Sequence, residues 1–265
     1  MEPMTIREIM DAVGGKLLGE FGDINRMVGR VETDSRTIHA GSLFVPLVGE
    51  RFDGHAYINA ALEGGAAGCF TQRERESYLP GKFYIKVDST QRALRDLAKY
   101  YKKKFPIPVV ALTGSVGKTT TKDMVAAVLG EKYRVLKTEG NLNNEIGVPM
   151  TLLRLSGEHE IAVLELGMNH AGEIDYLSAL VEPDVVLMTN IGDSHIEHFG
   201  SREKILEAKS EIFHHVKSGA FVVINGDDPL LNTLPGKLPY AFTRVGAGEG
   251  LDYRARGWSA TARAI

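Results

Sequence analysis

The residues best placed to do chemistry stand together in PVVALTGSVGKTTTKDMV, which begins at Pro108. Residues 109–112 are apolar and read as a buried strand. Thr113, Gly114, Ser115, Val116 and Gly117 make a tight glycine turn, and from Lys118 the pattern is helical. A strand, a glycine loop and Lys-Thr at a helix start make a phosphate site. Backbone N–H groups point into the loop, the helix N-terminus adds positive potential, and the lysine supplies a mobile charge. Thr119 then offers a hydroxyl to a magnesium ion. Leu112 stands where G-x-x-x-x-G-K-[ST] has its first glycine, so the pattern present is the shorter T-G-x-x-G-K-T. An ordinary glycine-rich strand-to-helix turn is the plainer alternative, and a nucleotide site is the stronger reading.

The elements around this loop say where its partners lie. Apolar stretches at 109–112, 161–164, 185–188 and 221–224 alternate with helical stretches at 119–129, 173–180 and 202–213, the pattern of a parallel sheet covered on both faces. Such sheets bind ligands at the carboxyl ends of their strands. Glu165 follows the second strand, a costly position for an unpaired carboxylate. Magnesium shared with Thr119 and phosphate oxygens explains it; a carboxylate capping a helix or paired with a basic residue is the alternative. His195, beside Asp193 in NIGDSH, is open between a functional and a structural role, and His198 is a rival ligand three residues on. Ile205, Lys209 and Ile212 stand at i, i+4 and i+7, which puts Lys209 on an inward stripe. A stem snorkelling to the surface is the plainer reading; an amine converted to something other than an exposed cation is the sharper one. Asn225 and Asp227, in INGDDP, either face a base or ribose or form a turn.

Bulk properties narrow the class. The chain has 265 residues, 43% hydrophobic and 25% charged, enough for one large domain or two ordinary ones. A net charge of −3 with mixed signs argues against gripping nucleic acid through bulk charge. The N-terminal MEPMTIREIMDAVGG is polar and helical, with a capping box at Thr5 and Glu8, so it is no secretory signal. No apolar run reaches membrane-spanning length. Cys69 is the single cysteine, which excludes an intramolecular disulfide and a multi-cysteine zinc site. A soluble cytoplasmic protein with no nucleic-acid partner and no membrane insertion is expected. Residues 1–88 read as a small α/β domain, with helices at 5–13 and 56–63 and strands at 43–47, 67–71 and 83–87. A helix at 91–104 and the Phe105-Pro106-Ile107-Pro108 break lead into the sheet domain, assigned as 89–265.

Taken together, TGSVGKTTT, the ELG after a strand, NIGDSH and EAKSEIF resemble the Mur ligase family, ATP-dependent enzymes that build the peptide of bacterial cell-wall precursors. TEGNLNNEIGVPMTLLRL, from Thr138, is similar to the group that adds D-alanyl-D-alanine. TDSRTIHAGSLFVPLVGERFDGHAYINAALEGGAAG resembles that group's domain for the uridine-linked substrate. The resemblance covers nearly the whole chain. It implies a small N-terminal α/β substrate domain, then a P-loop-type, mostly parallel sheet domain with helices on both faces, truncated at its C-terminal end.

Roles carried over by matching position are implications of the resemblance. Thr113, Gly114, Ser115, Val116, Gly117, Lys118, Thr119 and Thr120 bind ATP, with Lys118 on the β- and γ-phosphates and Asn225 on adenine. Thr119 and Glu165 match a first magnesium site. His195 matches the histidine on a second, and Lys209 matches a lysine carried as an anionic carbamate ligand, which makes the sharper reading of that lysine the preferred one. Lys118, Lys209 and His195 form the implied catalytic set. Asn143 and Asn144 match the segment between nucleotide and substrate, and Asp34, Ser35 and Arg36 match the uridine-substrate motif.

The implied reaction joins D-Ala-D-Ala to UDP-N-acetylmuramoyl-tripeptide through an acyl phosphate made from ATP, with two Mg²⁺ ions, in a monomer. The chain ends at LDYRARGWSATARAI, before the family's C-terminal domain, so the activity implied is that of the parent enzyme. The alternatives are a non-catalytic nucleotide- or UDP-substrate-binding fragment, a sister or folylpolyglutamate-type ligase, and a P-loop ATPase or kinase of another kind. NLNNEIGVP speaks against the sister ligases, and the last alternative leaves the N-terminal domain unexplained.

Overall fold

A computed structural model describes residues 1–19, 22–49 and 51–257. The chain divides into two compact units, Met1–Pro106 with Glu145–His159, and Ile107–Asn144 with Glu160–Ile265. Residues 258–265 of the final stretch lie outside the described residues.

The first unit opens with β1 (Met4–Thr5) and α1 (Ile6–Val13). The expected capping box is formed: Glu8 N–H donates to Thr5 Oγ1 at 3.1 Å, and Thr5 N–H donates to Glu8 Oε2 at 2.9 Å. Strands β2 (Lys16–Leu18), β3 (Met27–Val28), β4 (Val31–Glu32) and β5 (Leu43–Phe44) follow. Next come β6 (Val48–Gly49), β7 (Phe52–Asp53), α2 (Ile58–Glu63), β8 (Gly68–Thr71), β9 (Phe83–Lys86) and α3 (Thr90–Lys102). The main sheet has the order β2-β9-β8-β5-β4; only β2 runs antiparallel to its neighbour. Phe44, Ile58, Leu62, Cys69 and Tyr84 pack as its core. The strand expected at 43–47 closes at Phe44, since Pro46 has no N–H to donate to a ladder.

Helix α3, assigned from the sequence to the sheet domain, packs in this unit against α1. Its Tyr101 hydroxyl donates to Leu155 O at 2.6 Å and accepts from Glu2 N–H at 2.6 Å. The segment Glu145–His159 therefore also belongs here, and it divides TEGNLNNEIGVPMTLLRL between the two units.

The second unit alternates strand and helix: β10 (Val109–Thr113), α4 (Lys118–Gly130), β11 (Val135–Lys137), then, after α5 (Gly147–Leu152) of the first unit, β12 (Ile161–Glu165) and α6 (Glu173–Val181). It continues with β13 (Val185–Met188), α7 (Ile196–Phe199), α8 (Arg202–Ser210), β14 (Phe221–Asn225), β15 (Phe242–Gly246) and β16 (Tyr253–Arg254). The strands form one parallel sheet in the order β11-β12-β10-β13-β14-β15-β16. All five residues of β10 are buried, as a central parallel strand requires. The order reverses direction beside β10, so the loops after β10, β12 and β13 converge at one rim, where such sheets bind ligands.

Candidate active site

The glycine loop links β10 to α4, and Gly114 and Gly117 give it its shape. Gly114 has φ 152°, and a Cβ there would lie 1.9 Å from Thr189 Oγ1; Gly117, at φ 79°, is the left-handed N-cap of α4. Side chains at either position would meet strain, and at Gly114 a collision as well. Lys118 begins α4 and folds its Nζ back over the loop, donating to Gly114 O at 2.9 Å and Ser115 O at 3.3 Å. Burial lowers its pKa, an effect the nearby Glu165 carboxylate opposes. Thr119 and Thr120 are exposed on the first turn.

Glu165 ends β12 and is 1% exposed. Thr119 Oγ1 donates to its Oε2 at 3.0 Å, and Asn143 Nδ2 donates to its Oε1 at 2.7 Å. Its own N–H donates to Thr138 Oγ1 at 3.0 Å. Both side-chain partners are neutral, so the carboxylate neither caps a helix nor forms an ion pair among the described residues. A buried carboxylate beside a hydroxyl, both hard oxygen donors, is the donor chemistry that suits Mg²⁺ shared with phosphate oxygens. Among the described residues no group of three or more His, Cys, Asp or Glu is placed to hold a metal ion. Asn144 is exposed one residue on.

His195 and Lys209 approach from the other side. His195 sits at φ 67°, an uncommon backbone state for a non-glycine residue, and caps α7. Burial lowers its pKa, and the Lys209 cation adds to this, so the ring is neutral at pH 7. Lys209, on α8, is 1% exposed, and burial together with the Lys118 cation lowers its pKa from 10.5 to about 7. It forms no hydrogen bond or ion pair among the described residues. The snorkelling alternative is thus not realised: the stem points inward, as the Ile205–Ile212 stripe suggested. His198, the rival to His195, instead lies 3.9 Å from Glu197 and against the His170 ring.

Asn225 ends β14, and its Oδ1 accepts the Asp227 N–H at 3.0 Å. Asp227 caps the loop after β15, accepting from Ala247 N–H at 2.6 Å and Gly248 N–H at 2.8 Å. Turn formation, one of the two readings left open for INGDDP, is present. The structure thus brings Lys118, Thr119, Glu165, Asn143, His195 and Lys209 around one rim. Sequence reasoning passed over Thr189 and Asn190, which directly follow β13 and brace the loop; their position after a strand was the available signal.

Asp34, Ser35 and Arg36 belong to the first unit. They line a cavity of about 610 Å³ together with Phe52 and Tyr57, whose rings stack at 5.5 Å. Arg36 grips Asp34 through Nε at 2.9 Å and NH2 at 2.7 Å. Those side-chain bonds, with the Arg36 backbone N–H, hold the Asp34 carboxyl at about 2.

A glycine loop leading into Lys-Thr at the carboxyl rim of an all-parallel sheet defines an α/β domain of the P-loop type. The description Mur ligase middle domain matches residues 112–261, and Mur ligase family, catalytic domain matches residues 28–102. The chain belongs to the Mur ligase family. It is 46% identical over 227 residues to the UDP-N-acetylmuramoyl-tripeptide–D-alanyl-D-alanine ligase of Bacillus subtilis, covering 86% of this chain and 50% of the relative. Its Escherichia coli counterpart is 42% identical over 228 residues, covering 86% and 49%. MurF from Acinetobacter baumannii has a similar structure, with TM-score 0.86 and 36% identity over 95% of this chain and 55% of that one. MurF ligase from Thermotoga maritima in complex with ADP gives TM-score 0.79 and 36% identity over 88% and 53%. The chain spans about half the length of the curated relatives it matches. No helix among the described residues is long and apolar enough to cross a membrane.

Proposed function

We propose that this chain carries the substrate-binding and ATP-binding units of a ligase that joins D-Ala-D-Ala to UDP-N-acetylmuramoyl-tripeptide, acting as a cytoplasmic monomer in cell-wall precursor synthesis. The observation that carries the nucleotide part is Glu165, a buried carboxylate with only neutral side-chain partners at the mouth of a phosphate loop. The names of the relatives support the substrate pair, and the ADP complex of one of them supports the nucleotide.

A free carboxylate is a poor acyl donor. In the proposed reaction its oxygen attacks the γ-phosphorus of ATP, giving an acyl phosphate and ADP. The amine of D-Ala-D-Ala adds to the acyl carbon, and the tetrahedral adduct expels inorganic phosphate as the amine loses its proton. The protein's task is to position groups and offset charge. Lys118 and the free N–H groups at the start of α4 face the phosphates. Thr119 and Glu165 would hold one magnesium ion, and His195 with a Lys209 carbamate a second, supplying charge neutralisation on the phosphoryl oxygens. The neutral His195 ring keeps a lone pair for a ligand. An amine titrating at about 7 is substantially unprotonated at neutral pH, the form that adds CO₂. Asn225 lies by the adenine in this reading, and Asp34, Ser35 and Arg36 with Asn143 and Asn144 serve the UDP-substrate.

Calorimetric titration tests the proposal directly. Saturable binding of UDP-N-acetylmuramoyl-tripeptide, and separately of Mg-ADP, is expected. A folded sample that binds ADP but not the UDP compound would overturn the substrate assignment, and the reverse would overturn the nucleotide assignment.

A further inference from the structure

The loop after β13 makes more contacts with the phosphate loop than any role above requires. Val116 N–H donates to Asn190 Oδ1 at 2.9 Å, and Asn190 Nδ2 donates to Val116 O at 3.0 Å. Ser115 N–H donates to Asn190 O at 2.9 Å, and Thr189 Oγ1 donates to Val116 O at 2.8 Å. One asparagine thus pairs with both backbone groups of Val116 as a neighbouring strand would. The Val116 side chain is 63% exposed, so packing does not hold this residue in place. The brace is itself anchored from behind. Ile191 N–H donates to Asp228 Oδ2 at 2.7 Å, with Asp228 7% exposed. At the far end Arg202 grips Asp193 through two bonds of 2.7 and 2.6 Å. His195 follows two residues after Asp193.

We infer that Asn190 is a positioning residue for the phosphate loop, setting the backbone of Ser115 and Val116 through its side-chain amide and tying that loop to the segment that carries His195. The inference rests on the proposed nucleotide site. Asparagine suits the task because one planar amide both donates and accepts. Aspartate keeps the acceptor for Val116 N–H but loses the donor to Val116 O, and alanine loses both. The N–H groups of Ser115 and Val116 are taken up by this brace. Holding the loop beforehand lets the N–H groups that follow it, at the start of α4, meet a phosphate without rearrangement, which gains affinity.

The test uses this chain with ADP, comparing the parent with Asn190→Ala and Asn190→Asp. Calorimetry gives the affinities, and hydrogen exchange reads the Val116 amide. In Asn190→Ala the Val116 amide is expected to exchange faster, and ADP to bind about tenfold or more weakly, as two lost hydrogen bonds imply. UDP-N-acetylmuramoyl-tripeptide affinity should stay at the parent value, which a general loss of folding would not allow. Asn190→Asp should keep the Val116 amide protected and still bind ADP more weakly, so it carries the test if the alanine variant does not fold. ADP binding within about twofold of the parent in a folded variant overturns the inference while leaving the nucleotide site standing. Unchanged Val116 exchange in Asn190→Ala overturns it as well. Failure of the parent to bind ADP removes the nucleotide reading and the inference with it.

Discussion

Replacing Lys209 by methionine should stabilise the second unit while removing whatever Lys209 contributes to catalysis. The side chain is 1% exposed, and its amine titrates at about 7 against 10.5 for an ordinary lysine. At 1.36 kcal/mol for each tenfold step, that difference corresponds to about 5 kcal/mol of penalty on the buried ammonium, of which relaxation and water entry leave a few. The sign follows from proton binding. Between about 7 and 10.5 the unfolded chain holds the proton that the folded chain has released, so this lysine makes stability rise with pH across that window. Below it the full penalty applies. Methionine has similar volume and no charge. The expected gain in unfolding free energy is therefore on the order of 3 kcal/mol at pH 6 and shrinks towards zero by pH 10. Urea melts at a series of pH values, with CO₂ excluded, measure it. Added bicarbonate at pH 8 should then stabilise the parent and not the variant, because only an amine can form a carbamate. A methionine variant no more stable than the parent at pH 6 would show that the ammonium is solvated or paired, and the reasoning from burial would fall.

Lys118→Ala, in a chain of the relatives' full length, should lower acyl phosphate formation at least about a hundredfold, read by trapping with hydroxylamine; unchanged turnover would remove Lys118 from the phosphates. Gly114→Ala places a Cβ 1.9 Å from Thr189 Oγ1 at a φ that alanine resists, so ADP affinity should fall sharply, and an ADP titration matching the parent would contradict the loop geometry. Cys69 is fully buried in the first unit and burial pushes its thiol pKa up, so a thiol reagent should react only on unfolding; Cys69→Ala should leave activity intact, and a dead variant would assign the thiol more than packing.

Much of the second unit was legible because its main strands are short apolar runs, with β10 and β12 buried almost throughout. Residues 109–112, 161–164, 185–188 and 221–224 all proved to be strands, three of them one residue longer than expected, since the alternation of apolar runs with helices leaves little choice of fold. β15 escaped notice because FTRVG is partly exposed at every position, and β11 because three residues carry too little periodicity. In the first unit α1 was plain from its capping box, and α3 from the proline break that follows it. Two-residue strands such as β4 and β5 owe their existence to partners far along the chain, which local pattern does not encode. The same holds for the placement of α3. Its helical pattern is local, but its partners α1 and α5 are settled only by the three-dimensional arrangement.

The site divides along the same line. A residue that departs from its surroundings shows itself in a sequence: Glu165 ending an apolar strand, Lys209 on an apolar stripe, two glycines before a lysine. Each is a conflict between local chemistry and burial, and such conflicts gather where function is carried. Asn190 breaks no rule. It is a polar residue in a polar loop, and beyond its place just after an apolar strand nothing distinguishes it from Asn232 or Asn25. Its significance lies in a pairing with Val116, 74 positions earlier in the chain, made possible because β10 and β13 are neighbours in the sheet. Groups that bind or react with a ligand can therefore be nominated from sequence, whereas groups that hold those residues in place require the topology first. The Asn190 variants measure that second kind of contribution separately from the first, since they leave Lys118, Thr119 and Glu165 untouched.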